Sequence, residues 1–109
     1  MKANVVFHKD ALLNDLGDGV SRRVLAHTDQ LMIVEVNFKL GSMGAVHTYP
    51  HFQNTYVKSG RFCFTVDGER VEVGPGDTLA FPSNIPHGTL CLEEGTLLDI
   101  FTPMREDFL

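Results

Sequence analysis

Short apolar runs that alternate residue by residue, each closed by a Gly, Pro, Asn or Asp break, recur along this chain and limit its fold more than any other feature. Met32, Val34, Val36 and Phe38 fall on one face of a strand, with Glu35 and Asn37 on the other. Phe62, Phe64 and Val66 alternate with Arg61, Cys63 and Thr65. Asp67-Gly68 then reads as a two-residue hairpin, because both residue types tolerate positive φ, and Val71 and Val73 lie on the return strand. Gly74-Pro75-Gly76-Asp77 is a further turn, Thr78 to Phe81 a short strand, and Pro82 to Pro86 a stiff loop. Thr96 to Thr102 is apolar on both faces, as a central last strand would be, and Asp10 to Leu16 is the one candidate helical turn, stopped by Gly17. Many short strands in one small domain imply an all-β fold, with sandwich and barrel both open.

Composition narrows the function. The 109 residues suffice for one core, and 43% hydrophobic with 21% charged residues is a globular balance. Fourteen acidic against nine basic side chains give a net charge of −5, and no basic stripe is present, so neither nucleic acid nor an anionic membrane is an expected partner. No run approaches the ~20 apolar residues of a membrane span. Met1 to Asp10 lacks a signal peptide's apolar stretch, and Cys63 and Cys91 stand apart outside any Cys-x-x-Cys pattern, so a reducing cytoplasm is the expected location.

Two spaced patterns carry the chemistry. Gly41 is followed after five residues by His47, then Tyr49 two on, Gln53 four further, and Gly60 after six more. Gly76 is followed after five residues by Pro82, then Asn84 two on, His87, and Cys91. Residues two apart on a strand face the same way, so positions 47 and 49 are expected to point inward together. Gln53 opens the next strand after Pro50, and His87 comes from a third segment. Ligands from three segments converge inside a closed structure. Imidazoles with an amide oxygen suit one divalent transition ion, Zn, Ni, Fe, Mn or Cu. Two His and a Gln are neutral, so the ion keeps its charge and seats an anionic oxygen. His8 and His27 have no such frame, and His51 shares strand parity with His47 across the interruption at Pro50.

This pair of patterns resembles the signature of the cupin superfamily: Gly, five residues, His-x-His, three or four residues, Glu or Gln, six residues, Gly; then Gly, five residues, Pro-x-Gly, two residues, His, three residues, Asn. Tyr49 replaces the second His, Asn84 the second Gly and Cys91 the Asn. The resemblance implies a single-domain double-stranded β-helix, or jelly-roll barrel, over residues 1–109. Residues 1–30 would form N-terminal strands or an arm, 41–60 and 76–91 the two motifs, and 92–109 the last strand and tail. A homodimer built through such an arm is also implied.

The stretches 19–27, 47–53 and 74–88 and the ending 98–109 are similar to KdgF-type pectin-degradation cupins. That likeness implies metal-dependent opening of 4,5-unsaturated uronates, released by pectin or alginate lyases, to linear 4-deoxy-5-keto uronates. The substrate is then a small anionic sugar. His47, Gln53 and His87 match metal-ligand positions, with Tyr49 at the departing fourth. Asp99, Phe101 and Arg105 match substrate-handling positions, Asp99 and Arg105 as the catalytic pair. These residues suit the task. Asp99 lies in an apolar strand where desolvation raises a carboxyl toward a useful acid, Arg105 offers a planar fork for a carboxylate, and Phe101 shares the face of Asp99. Tyr49 can ligate as a phenolate, leave an open three-ligand site, or weaken metal binding. A cupin dioxygenase and a non-catalytic sugar-acid binder are the competing functions.

Overall fold

A computed structural model describes residues 2–109, apart from the side chain of His47. Eight strands follow in order: β1 (Asn14–Gly17), β2 (Val20–His27), β3 (Met32–Phe38), β4 (Met43–His47), β5 (Phe52–Val66), β6 (Glu69–Val73), β7 (Thr78–Phe81) and β8 (His87–Thr102). Three-residue 3-10 turns at His8–Asp10 and Glu106–Phe108 flank them. Among the described residues, no helix is long and apolar enough to cross a membrane.

The antiparallel ladder between β5 and β8 organises the fold, running from Phe52↔Thr102 to Val66↔His87. The outer half of β8 also pairs with β3, and β3 continues to β2 and β1. The early half of β8 pairs with β4, while β5 pairs with β7 at one end and β6 at the other. Two layers are therefore joined by the same two strands. Phe38, Val57, Phe62, Phe64, Phe81 and Leu97 pack between them. This is the jelly-roll arrangement, so the choice between sandwich and barrel is settled by strand continuity rather than by alternation.

Local chemistry accounts for several elements. Asp67 and Gly68 take φ of 47° and 82°, and the hairpin register Val66↔Glu69, Phe64↔Val71, Phe62↔Val73 follows. Met32, Val34 and Phe38 are buried on the inner face of β3. Glu35, on the opposite face, is also buried. Arg23, its cross-strand partner, reaches it at 3.2 Å, and His8 from the N-terminal segment at 2.8 Å.

Two expectations fail. Asp10 to Leu16 forms no helical turn: Asp10 closes the 3-10 turn, and Asn14 and Asp15 pair with Arg22 and Ser21. Seven residues are too few to hold a helix without tertiary support, and an open sheet edge offers ladder bonds instead. The last strand also begins at His87, not Thr96, because Gly95 is not a break. It is a crossing point. A Cβ on Gly95 would sit 2.1 Å from the Ser59 carbonyl oxygen, and one on Gly60 2.6 Å from that of Glu93. Ladder register shifts at Val57–Phe62, so both long strands bend where their backbones touch.

Gly95→Ala is expected to cost about 4 kcal/mol or more, since backbone must move. Gly68→Ala, with open space around it, should cost only the left-handed penalty of about 1–2 kcal/mol. Urea unfolding of both variants checks this, and equal losses would contradict the crossing as the constraint.

Candidate active site

A cavity of about 470 Å³ opens between the two layers, walled largely by Val20, Val36, Phe38, Phe64, Leu97 and Phe108. Its polar groups come from separate elements. Gln53 is the second residue of β5, His87 the first of β8, and Asp99 and Phe101 lie further along β8 on the same face. Tyr49 stands beyond the end of β4, so strand parity with His47 does not place it. Its ring is held instead by Arg105, whose Cζ lies 4.0 Å from the ring centroid.

Three donor atoms converge at one end. The Tyr49 hydroxyl donates to Gln53 Oε1 and lies 3.2 Å from His87 Nε2. His87 Nδ1 faces the Ile85 carbonyl at 3.0 Å, which accepts only, so Nδ1 carries the proton and Nε2 presents its lone pair. Phe81 stacks on the imidazole at 4.3 Å and 17° and fixes its plane. Gln53 Nε2 donates to Thr55 Oγ1 at 2.9 Å, which fixes the amide so that its oxygen faces Tyr49. The phenolic oxygen, the amide oxygen and the imidazole nitrogen thus lie together, a donor set that suits a divalent cation. Burial, followed by the charge of Asp99, pushes the Tyr49 phenol up to about 12.

The backbone of His47 is the ladder partner of His87, while its side chain lies outside the described residues. His51 is directed elsewhere. Its Nε2 lies 3.1 Å from the Met104 carbonyl oxygen, and it borders a separate surface hollow with Asp29 and Met104.

A hydrogen-bond chain links this end to Asp99. Thr55 accepts from Gln53 and donates to Asp99 Oδ1 at 2.7 Å. Burial pushes the Asp99 carboxyl up to about 6, against the opposing bonds from Thr55 and Gln53 and the charge of Arg105. Phe101 is buried and edge-on to Tyr49 at 5.9 Å between centroids. Arg105 is buried as well, but its Nε and Nη2 hold the two oxygens of Asp107 at 2.9 and 2.7 Å. That edge is the planar fork expected for a substrate carboxylate.

Sequence reasoning passed over Thr55 and Asp107. Thr55 stands two residues after Gln53 on one strand face, a parity that could have flagged it. Asp107 had no signal beyond its closeness in sequence to Arg105.

Fold and donor set together define the class: the cupin-domain family model matches residues 34–101, and the chain belongs to the cupin family. It is 40% identical over 97 residues to the pectin degradation protein KdgF of Dickeya dadantii (strain 3937), covering 87% of this chain and 88% of that one. The structure of KdgF from Halomonas sp. superposes with a TM-score of 0.93 at 34% identity, over 99% of this chain and 100% of the other. An RmlC-like cupin from Shewanella frigidimarina NCIMB 400 gives 0.94 at 35% identity, over 99% and 97%. This chain is a KdgF-type cupin, of the pectin-degradation group. Oxalate decarboxylase of Bacillus subtilis, studied for its Mn(II) centres, shares the fold with a TM-score of 0.85 at 23% identity, over 98% of this chain and 32% of its own.

A carboxyl raised from 3.8 to about 6 favours the folded state below its unfolded value and loses that contribution as pH rises through 6. In the metal-free protein, with chelator present, Asp99→Asn should therefore unfold at higher denaturant than the parent above pH 6. The gap should shrink toward pH 4, from about 3 kcal/mol at most. Denaturation at pH 4 and pH 7.5 measures it, and a gap independent of pH would contradict the desolvated carboxyl.

Proposed function

We propose that this protein is a metal-dependent enzyme that opens 4,5-unsaturated uronates to linear 4-deoxy-5-keto uronates. The observation that carries the reading is the chain from the Tyr49–Gln53–His87 donor set through Thr55 to Asp99, bordering a largely apolar cavity. The KdgF relatives supply the pectin-degradation context.

The substrate is a cyclic enol ether bearing a carboxylate. Asp99, its carboxyl raised by desolvation to about 6, gives a proton to C4, and positive charge develops at C5. Water adds at C5 to form a hemiketal. The bond between C5 and the ring oxygen then breaks, leaving a ketone at C5 and a hydrated aldehyde at C1 that loses water, so the net change is an isomerisation. Thr55 steadies Asp99 through its 2.7 Å bond, and Phe101 packs against the sugar. Arg105, stacked on Tyr49, adds positive charge beside the anion. His47, Gln53 and His87, with Tyr49 beside them, would hold one divalent ion (Zn, Ni, Fe, Mn or Cu), as the Mn(II) centres of the oxalate decarboxylase cupin suggest for this fold. A bound ion there supplies a Lewis acid for a substrate oxygen.

Loss of the C=C absorbance of an unsaturated galacturonate tests the reading. The metal-loaded protein should accelerate it over spontaneous opening, and Asp99→Asn should lower kcat about 100-fold or more. Chelation, or His87→Ala with metal content measured alongside, should abolish the acceleration. No acceleration by the metal-loaded parent would refute the proposal. The chain is also proposed to act as a homodimer, because Val5, Phe7, Leu12 and Leu13 of the N-terminal segment stand exposed. Light scattering should give twice the 12.1 kDa chain mass; the monomer mass at micromolar concentration would contradict it.

A further inference from the structure

The carboxylate-binding edge of Arg105 is committed to Asp107. A second guanidinium, Arg22 on β2, borders the same cavity. Its Cζ lies 3.8 Å from the centroid of Phe108, and the Cζ of Arg105 lies 4.3 Å from that same centroid. The two cations are therefore no more than about 8 Å apart. They differ in one respect. Among the described residues Arg22 makes no ion pair, and its Nε is buried with no hydrogen-bond partner.

Asp107 is the acid whose charge reaches Arg22, and both its oxygens are already bonded by Arg105. Burial, with repulsion from Arg105, lowers Arg22 from its usual value despite Asp107. A partly desolvated guanidinium with an orphaned N–H costs free energy until an anion meets it. Stacking on Phe108 already restrains the side chain, so little rotamer freedom remains to be lost on binding. His8 and Arg23 each contact a carboxylate oxygen of Glu35, the buried acid of the adjacent strand, leaving it unavailable to Arg22.

We propose that Arg22 is the residue that binds the substrate carboxylate and makes the site select acid sugars over neutral ones. This rests on the reading that the cavity takes a uronate. Arg105 then acts as the neighbouring charge that positions Tyr49 and the C-terminal tail, and the hold on the carboxylate belongs to β2 rather than to the tail.

Three measurements on the parent, Arg22→Lys, Arg22→Met and Arg105→Met separate the outcomes, the third being the melting temperature without sugar. The first is ring-opening kinetics on an unsaturated galacturonate. The second is calorimetric binding of saturated galacturonate and of neutral galactose, which needs no catalysis. Arg22→Met keeps an apolar stem over Phe108, and it should raise KM about 10–100-fold with kcat changed less than about 3-fold. It should also lose the preference for galacturonate over galactose, with Arg22→Lys restoring part of it, and melt no lower than the parent without sugar. An unchanged KM and preference in Arg22→Met would overturn the proposal. So would a parent with no preference for the acid sugar, loss of the preference in Arg105→Met alone, or a marked drop in melting temperature for both Arg22 variants. A parent that prefers galacturonate through Arg22 but opens no uronate would refute the enzymatic reading and leave this one standing.

Discussion

Where β5 and β8 cross, the backbones at Gly60 and Gly95 approach so closely that neither position has room for a Cβ. That contact lets two strands of 15 and 16 residues bend together and belong to both layers of the barrel. Everything at the site is measured from it. Gln53 and Thr55 lie on β5, with His87, Asp99 and Phe101 on β8, and the ladder register puts Gln53 opposite Phe101 and Thr55 opposite Asp99. A donor set and an acid on different parts of the chain come within one hydrogen-bond chain because they are cross-strand neighbours.

The cost of this arrangement is visible in Asp99. A carboxyl in an apolar cavity destabilises the folded chain at neutral pH, and the same desolvation raises it to about 6, the range that the proposed general acid needs. Arg22 repeats the pattern with the opposite charge, a guanidinium held by ring stacking rather than by an acid. Both are local conflicts of the kind that a folded protein tolerates where function requires them.

Much of the fold was legible because its determinants are local. The Asp67-Gly68 turn, the alternation on either side of it and the strand Thr78–Phe81 depend on residues within a few positions of one another. The motif spacing likewise selected Gln53 and His87, which the structure brings to one point through Tyr49. Continuity of β5 and β8 was hidden, because the close approach of Gly60 and Gly95 shows only when the partner backbone is seen beside them. Tyr49 left its strand, yet reached the donor set through contacts with Arg105 that no parity rule describes. The burial of Glu35 by His8 and the engagement of Arg105 by Asp107 are tertiary facts with no sequence signature.

Gln53 Oε1 and His87 Nε2 are the proposed metal-ligating atoms, oriented by their residues' bonds to Thr55 and Ile85. Anomalous diffraction from metal-loaded crystals tests this assignment most directly. An anomalous peak is expected at about 2.0–2.3 Å from both atoms, with the direct Tyr49–Gln53 hydrogen bond lengthened or replaced. A peak elsewhere, or full metal occupancy in a Gln53→Ala, His87→Ala double variant, would contradict it.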